Sequence, residues 1–198
     1  MLKYIIFDYA GVLTPTTDNY KFALKYASEF NLSPIELLDS TYIDWDKALT
    51  GELSPYDFWK GVSTKLNCDP DELKAKIIES FPIDNRVINF IDKIKPRYTI
   101  CMLSNQIEDW LEPEIDKHGL RSRFEHYFNS YQLGLAKPDP RIFQKVLESL
   151  KCDPSECLFT DDNSTNVEVA KSLGMNALVF TNIDNFEKEF NLIAGYDK

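Results

Sequence analysis

The chain has 198 residues, of which 43% are hydrophobic, and its 22 basic and 32 acidic side chains give a formal net charge of −10. This length suits one α/β core with room for an inserted second unit, and the share of hydrophobic residues can form a packed interior. The acidic balance argues against a nucleic-acid partner and against an anionic membrane surface, because both favour a basic face.

An apolar segment near the start of the chain ends in a carboxylate. Residues 4–7 form an apolar run that predicts a buried strand, and Asp8 follows it directly, ahead of the turn residue Gly11. In open α/β sheets ligands bind beyond the carboxyl ends of the strands, where a carboxylate beside a metal can act as a nucleophile. Asp8 is therefore a candidate nucleophile, although an aspartate at such a position more often opens a turn or caps a helix.

The next stretch, residues 15–81, has helical periodicity throughout. Three helix-start signals lie in it, beginning at Ser33, Ser54 and Asp69, and each has a capping residue, then a proline, and an acid at the third helical position. These signals predict a helical insert between the first strand and the next βα unit.

The insert is rich in aromatic side chains, namely Tyr42, Trp45, Tyr56, Phe58 and Trp59. We expect most of them to be core residues and one or two to face a pocket. Trp45 and Glu52 are the predicted substrate contacts.

Beyond the insert, predicted helices and strands alternate. The pattern predicts helices near 85–95, before 117, over 140–150 and up to 173, and strands over 98–103, near 128, over 157–160 and over 177–180. This alternation is typical of an α/β protein with a doubly wound, Rossmann-like parallel sheet, in which the strand ends meet at one edge.

Polar side chains occupy the ends of these predicted elements. Ser104 and Asn105 follow one strand, Asp161 and Asp162 follow another, and Lys137 lies just before a helix start. Each has an ordinary explanation on its own, since lysines are mostly exposed and aspartates cap helices. Their shared position at strand ends and helix starts is what predicts a site.

Other kinds of site find little support. The histidines His118 and His126 have no HExxH context, and there is no GxSxG or GxxxxGK[ST] motif. The four cysteines show no zinc spacing, so reduced structural thiols are expected. No apolar stretch approaches about 18 residues and no cleavage signal is present, so a soluble cytoplasmic protein with no membrane partner is expected.

Taken in order, these segments resemble the haloacid dehalogenase-like hydrolase superfamily, most of whose members are magnesium-dependent phosphatases. The likeness is strongest to its small phosphatases related to the amino-terminal phosphatase domain of soluble epoxide hydrolase and to alpha-D-glucose-1-phosphatase. It rests on residues 8–13, 103–105, 134–143 and 161–163, followed by Asn166, Val167 and Ala170. The resemblance implies a catalytic core of residues 1–14 and 82–198 and a small helical cap of residues 15–81 that selects the substrate.

The resemblance also implies a mechanism. Mg²⁺ would be held by Asp8, the backbone carbonyl of Ala10 and the pair Asp161 and Asp162, with Asp162 the first choice for direct contact and Asp161 acting directly or through water. Oxygen ligands of this kind suit a hard cation. Asp8 would attack phosphorus and form an aspartyl phosphate. Ser104, Asn105 and Lys137 would bind the phosphate oxygens of a small-molecule phosphate ester.

One position departs from the family pattern. Members commonly have a second aspartate two residues after the nucleophile, serving as general acid and then base, but here that residue is Ala10. Positioned acid–base catalysis is typically worth roughly 10²–10⁴ in rate, so its loss should slow the enzyme more than silence it. The proton could instead come from the substrate, from water, or from a cap carboxylate, with Asp44, Asp46 and Glu52 as candidates.

The predicted function is a Mg²⁺-dependent phosphatase of small phosphorylated metabolites, with sugar phosphates as a plausible class. Two alternatives stay open. A phosphate-binding or sensor protein with weak catalysis would explain the missing acid at Ala10. A 2-haloacid dehalogenase would share the Asp8 nucleophile but needs no metal, and the Asp161–Asp162 pair counts against it.

Overall fold

A parallel β-sheet organises the chain. The structure is a computed structural model that describes residues 1–14 and 19–196. Within them the strands are β1 (Tyr4–Phe7), β2 (Thr99–Ser104), β3 (His126–Asn129), β4 (Cys157–Asp161) and β5 (Asn176–Val179). They form a single sheet in the order β3-β2-β1-β4-β5, and every neighbouring pair is parallel. The predicted doubly wound, Rossmann-like sheet is thus confirmed.

Helices connect the strands. Those before the second strand are α1 (Asn19–Tyr26), α2 (Pro34–Thr41), α3 (Trp45–Leu49), α4 (Pro55–Leu66), α5 (Pro70–Glu79) and α6 (Asn85–Ile94). Those after it are α7 (Glu108–Lys117), α8 (Ser130–Leu133), α9 (Pro140–Leu150), α10 (Ser164–Ser172) and α11 (Ile183–Ala194). Short 3-10 turns cover residues 27–30, 120–122 and 154–156.

The three predicted helix starts of the insert are confirmed in detail. The Ser33 hydroxyl accepts from the Glu36 N–H at 3.3 Å while the Glu36 carboxylate accepts from the Ser33 N–H at 2.8 Å. Ser54 accepts from the first turn of α4, and Asp69 accepts from two N–H groups of α5. Such caps satisfy backbone donors that have no partner inside the helix.

The sheet separates two hydrophobic layers because side chains alternate along each strand. In β1, Ile5 and Phe7 face the layer of α6, α7 and α11, whereas Ile6 faces the layer of α9 and α10. The same alternation holds for the central residues of β2 and β4. Buried on both faces, these strands read as continuous apolar runs, which is how the sequence showed them.

The helix α11 has no counterpart among the predicted elements. It packs Phe186 against the ring of Phe7, with ring centroids 5.7 Å apart, and so covers the central strand. Its amphipathic spacing places Ile183, Phe186 and Phe190 on one buried face.

The helices α1–α5 share a hydrophobic cluster of their own. This cluster also includes Ile107 and Trp110, at the start of α7, so the insert packs on the core through that helix. The two ends of the insert approach each other where the Asp84 N–H donates to the Leu13 carbonyl at 2.7 Å. The predicted division into a core of 1–14 and 82–198 and a cap of 15–81 stays a prediction, and residues 15–18 and 197–198 lie outside the described residues.

Two further expectations concern reduced cysteines and membrane-spanning segments. All four cysteines are free, with the Sγ atoms of Cys152 and Cys157 3.4 Å apart. In the part of the chain that the structure describes, no helix combines the length and the apolar character needed to span a membrane.

Candidate active site

The predicted site residues meet at the carboxyl edge of the sheet. Phe7 of β1 lies opposite Met102 of β2 and Thr160 of β4, so the residues that end or follow these three strands share one edge. The Asp8 N–H extends the ladder by donating to the Thr160 carbonyl at 2.9 Å. The chain order reverses between β1 and β4, the place where open α/β sheets form a binding crevice.

Lys137 lies at the centre of this edge. Its ammonium is 2.8 Å from Asp8 Oδ1 and 2.6 Å from Asp161 Oδ2, and it donates to the Leu103 carbonyl at 3.0 Å. Ser104, the next residue, ends β2 and is buried. Only 5% of Lys137 is exposed, so the ordinary expectation of a solvated lysine is wrong here.

Asn105 fixes the loop that carries Lys137. Its side-chain oxygen accepts from the Lys137 N–H and its side-chain nitrogen donates to the Lys137 carbonyl, both at 2.8 Å. This paired contact uses both polar atoms of the Asn105 side chain to position Lys137. A direct contact of Asn105 with a phosphate stays a prediction.

Asp161 is fully buried and has several hydrogen-bond partners. Besides Lys137, it accepts from the Asn163 N–H at 2.8 Å and from Asn166 Nδ2, at 3.1 and 3.0 Å to its two oxygens. Sequence reasoning gave Asn166 no role. The available signal was a polar residue on the buried face of α10, beside Val167 and Ala170.

Burial and charge set the protonation of this cluster. Burial raises the pKa of Asp8 to about 7, with the charge of Asp161 adding to the rise while Lys137 and the Tyr9 N–H oppose it. Burial would lower the pKa of Lys137, but the two carboxylates outweigh it and the pKa of Lys137 is raised. The two acids therefore favour the charged form of Lys137.

The cluster fits a divalent cation. Asp8, Asp161 and Asp162 each offer a carboxylate oxygen within 4.8 Å of the others. The cluster contains three carboxylates, two of which pair with the Lys137 ammonium, so a hard cation at this place would offset the excess negative charge. Asp8, Asp161 and Asp162 are the side chains that would hold the predicted Mg²⁺, and the Ala10 carbonyl stays a predicted ligand.

Adding millimolar Mg²⁺ is expected to raise the melting temperature, because an ion that binds only the folded chain stabilises it. Asp162→Asn should remove most of this shift, whereas Asp184→Asn, the same change at an exposed helix start, should keep it. Thermal melts with Mg²⁺ and with a chelator measure both. An equal Mg²⁺ shift in the two variants would contradict the assignment.

A cavity of about 180 Å³ lies against this edge, between the insert and the core. Its wall includes Tyr9 and Ala10, directly after Asp8, and Asn105, which holds Lys137. The rest of the lining is mainly aromatic, with Phe22, Thr41, Tyr42, Trp45, Phe58, Trp59, Ile77, Phe81, Gln106 and Trp110.

Of the two substrate contacts predicted in the insert, one lies at the cavity and the other does not. Trp45 lines this cavity, whereas Glu52 is exposed and is not among the lining residues. The turn at Gly51 packs on Tyr131, where an added Cβ would lie 3.1 Å from the Tyr131 carbonyl, and Glu52 next to it accepts from Thr50 instead.

The candidate cap acids lie away from the cavity. Asp44 forms an exposed ion pair with Lys47 at 2.5 Å, and Asp46 is exposed, as Glu52 is. No aspartate or glutamate is among the described residues that line the cavity. Of the proton sources considered for the leaving oxygen, the substrate and water therefore fit the described part of the structure, and Asp44, Asp46 and Glu52 do not.

Comparison with known proteins agrees with the geometry. The family of haloacid dehalogenase-like hydrolases matches residues 2–174. The chain is 28% identical to D-ribitol-5-phosphate phosphatase of Bacteroides thetaiotaomicron over 205 residues, covering 98% of each chain. It is 27% identical to bifunctional epoxide hydrolase 2 of Sus scrofa over 139 residues, which are 64% of this chain and span only 24% of that protein.

Solved structures show the same architecture. A HAD family enzyme of Bacteroides thetaiotaomicron, in a mutant form with magnesium and inorganic phosphate, superposes with a TM-score of 0.78 at 22% identity, covering 90% of this chain and 94% of that one. L-2-haloacid dehalogenase of Xanthobacter autotrophicus, at 21% identity, gives 0.66 over 89% of this chain and 76% of that one.

The fold and the carboxylate–lysine edge define a hydrolase of the haloacid dehalogenase type. The chain belongs to the haloacid dehalogenase-like hydrolase family. The predicted hydrolase class is confirmed by the family match, and the cluster of Asp8, Asp161 and Asp162 is compatible with the predicted Mg²⁺.

Proposed function

We propose that the chain hydrolyses small phosphorylated metabolites through an aspartyl phosphate on Asp8. The observation that carries this proposal is the buried cluster of Asp8, Lys137, Asp161 and Asp162 at the switch point of the sheet. A sugar or polyol phosphate is the substrate class that the D-ribitol-5-phosphate phosphatase relative suggests.

The first step forms one bond and breaks another. A carboxylate oxygen of Asp8 bonds to phosphorus while the ester P–O bond breaks and the electron pair leaves with the ester oxygen. Lys137 beside Asp8 offsets charge on the phosphoryl oxygens, and Ser104 at the end of β2 can donate to them. Mg²⁺, when bound, supplies further positive charge at the phosphate.

The second step restores the enzyme. Water attacks phosphorus, the bond between phosphorus and the Asp8 oxygen breaks, and inorganic phosphate leaves with the proton released to solvent. Ala10 offers no side-chain base for this water. Water attack is therefore the slow step when the first leaving group is good.

A direct assay tests the proposal. Nitrophenyl phosphate and ribitol 5-phosphate are each incubated with and without Mg²⁺, and phosphate release is measured. We expect release that requires Mg²⁺. Release that ignores Mg²⁺ would contradict the mechanism, and no release from any ester would favour a phosphate sensor.

The change Ala10→Asp is expected to raise turnover of ribitol 5-phosphate by roughly 10²-fold, because it supplies the acid that an alkoxide leaving group needs. Nitrophenyl phosphate should gain far less in its first step, since its leaving group departs without a proton. The kcat/KM values of both substrates in the two proteins measure the contrast, because kcat/KM reports the first step, whereas water attack limits kcat for nitrophenyl phosphate. Equal gains on both would show that the missing acid does not limit the rate.

A further inference from the structure

The cavity that Tyr9 and Ala10 help to line has a mainly aromatic wall. Trp45 is the hub of its wall, with ring centroids 5.4 Å from Phe58, 5.8 Å from Trp110 and 6.3 Å from Tyr42. Phe81 lies 5.7 Å from Trp110 on the same wall. Rings set at steep angles to each other present both faces and edges, which are the surfaces that bind another flat ring.

The size of the cavity suits a ligand of about one ring. Its volume is about 180 Å³. A protein cavity of about 150 Å³ is known to hold benzene. A single six-membered ring with small substituents therefore fits this volume.

Most polar groups of the cavity wall already have hydrogen-bond partners. The Tyr9 hydroxyl donates to Glu114 at 3.1 Å, and Trp59 Nε1 donates to Asp109 at 3.2 Å. The Asn105 amide is committed to the Lys137 backbone. An open-chain polyol brings several hydroxyls, and each one buried without a partner weakens binding by roughly tenfold.

Two polar atoms of the wall residues still lack partners. Gln106 Oε1 and Trp110 Nε1 are buried and have no hydrogen-bond partner among the described residues. Together they amount to one acceptor and one donor. A ring with one donor and one acceptor on its rim would match them without bringing surplus polar groups.

The leaving-group chemistry points the same way by a separate route. Ala10 carries no acid, and none of the described residues that line the cavity is an aspartate or glutamate that could protonate the departing oxygen. A phenol, whose pKa is about 10, departs as phenolate without a proton. An alcohol oxygen would need one.

In place of the polyol phosphate that the D-ribitol-5-phosphate phosphatase relative suggests, we propose that the natural substrate is the phosphate monoester of a small one-ring phenol, bound with its ring against Trp45 and Trp110. This inference rests on the proposed function, since it assigns the substrate of the same Asp8 site. Asp8 oxygen bonds to phosphorus as the aryl P–O bond breaks, and the electron pair leaves on the phenolate, which takes its proton from solvent after release.

A series of four esters tests the proposal on the unmodified protein with Mg²⁺. Benzyl and cyclohexylmethyl phosphate have the same shape and similar leaving groups, so their ratio reports ring recognition. Phenyl and benzyl phosphate share the ring, so their ratio reports the leaving group. Ribitol 5-phosphate represents the polyols.

We expect kcat/KM to fall in the order phenyl, benzyl, cyclohexylmethyl, ribitol. Ring recognition should make benzyl phosphate about three- to tenfold better than cyclohexylmethyl phosphate. A preference for ribitol 5-phosphate, or equal values for benzyl and cyclohexylmethyl phosphate, would overturn the aromatic assignment while leaving the phosphatase intact. Failure to hydrolyse any ester, nitrophenyl phosphate included, would overturn both.

A matched pair of variants locates the ring. Trp45→Leu keeps an apolar wall and should abolish the preference for benzyl over cyclohexylmethyl phosphate. Tyr56→Leu, which removes an exposed ring on α4 outside the cavity, should retain that preference. If Trp45→Leu fails to fold, the four esters on the unmodified protein still decide the matter.

Discussion

Asp8→Asn is expected to lower turnover of every phosphate ester by at least about 10⁴-fold, because an amide cannot form the bond to phosphorus. The fold should survive, since Lys137 keeps its contacts with Asp161 and the Leu103 carbonyl. Steady-state kinetics with nitrophenyl phosphate and Mg²⁺ measures the loss, and circular dichroism verifies the fold.

The matched control is Asp184→Asn, which makes the same chemical change at the exposed start of α11. It should leave kcat unchanged. If Asp8→Asn keeps more than a small fraction of the activity, water or another residue attacks phosphorus and the proposed intermediate is wrong.

Lys137→Met should damage both stability and activity. It replaces a buried ammonium with an apolar chain of similar length and leaves Asp8 and Asp161 facing each other without their shared cation. Breaking a buried ion pair in this way typically costs about 3–5 kcal/mol. Removal of one electrostatic donor should also lower kcat by roughly 10²–10³-fold.

Urea denaturation in the presence of a chelator measures the change in the free energy of unfolding. Lys171→Met, at an exposed lysine that pairs with Glu168, should change the free energy of unfolding by less than about 0.5 kcal/mol. Adding Asp161→Asn to Lys137→Met should recover part of the lost stability, because it removes one of the two unpaired acids. A Lys137→Met protein as stable as the parent would show that the ammonium does not compensate these carboxylates.

The sequence predicted the structure best where a feature depends on a few neighbouring residues. Capping residues followed by proline at Ser33, Ser54 and Asp69 predicted helix starts correctly, because a cap acts within a few residues. The strand ends at Asp8 and Asp161 were also predicted, because the period of the apolar runs and the parallel topology place them at one edge.

What the sequence missed depends on contacts between distant segments. The Asn105 amide pairs with a backbone 32 positions away, and the cavity wall gathers residues from many elements. Glu52 was expected at the substrate because it adjoins a turn, but the turn packs on Tyr131 and leaves Glu52 exposed. Which side of a turn faces a cavity is set by packing, and local patterns do not encode it.

The departure from the family pattern at Ala10 is informative as well. At Ala10 the missing acid coincides with a mainly aromatic wall, and none of the described residues of that wall is a carboxylate. The departure and the lining of the cavity therefore belong together: both favour an ester whose leaving oxygen needs no proton and whose organic part needs few hydrogen bonds.

The central claim is that Asp8 carries the phosphoryl group during turnover. Acid quenching of the enzyme during steady hydrolysis of nitrophenyl phosphate, followed by mass spectrometry of its peptides, tests this directly. Because the first step has a good leaving group and the second lacks a base at Ala10, the account predicts one phosphoryl group accumulated on Asp8. Steady turnover with the phosphoryl group on another residue would contradict it, as would steady turnover with no phosphoryl group on the protein.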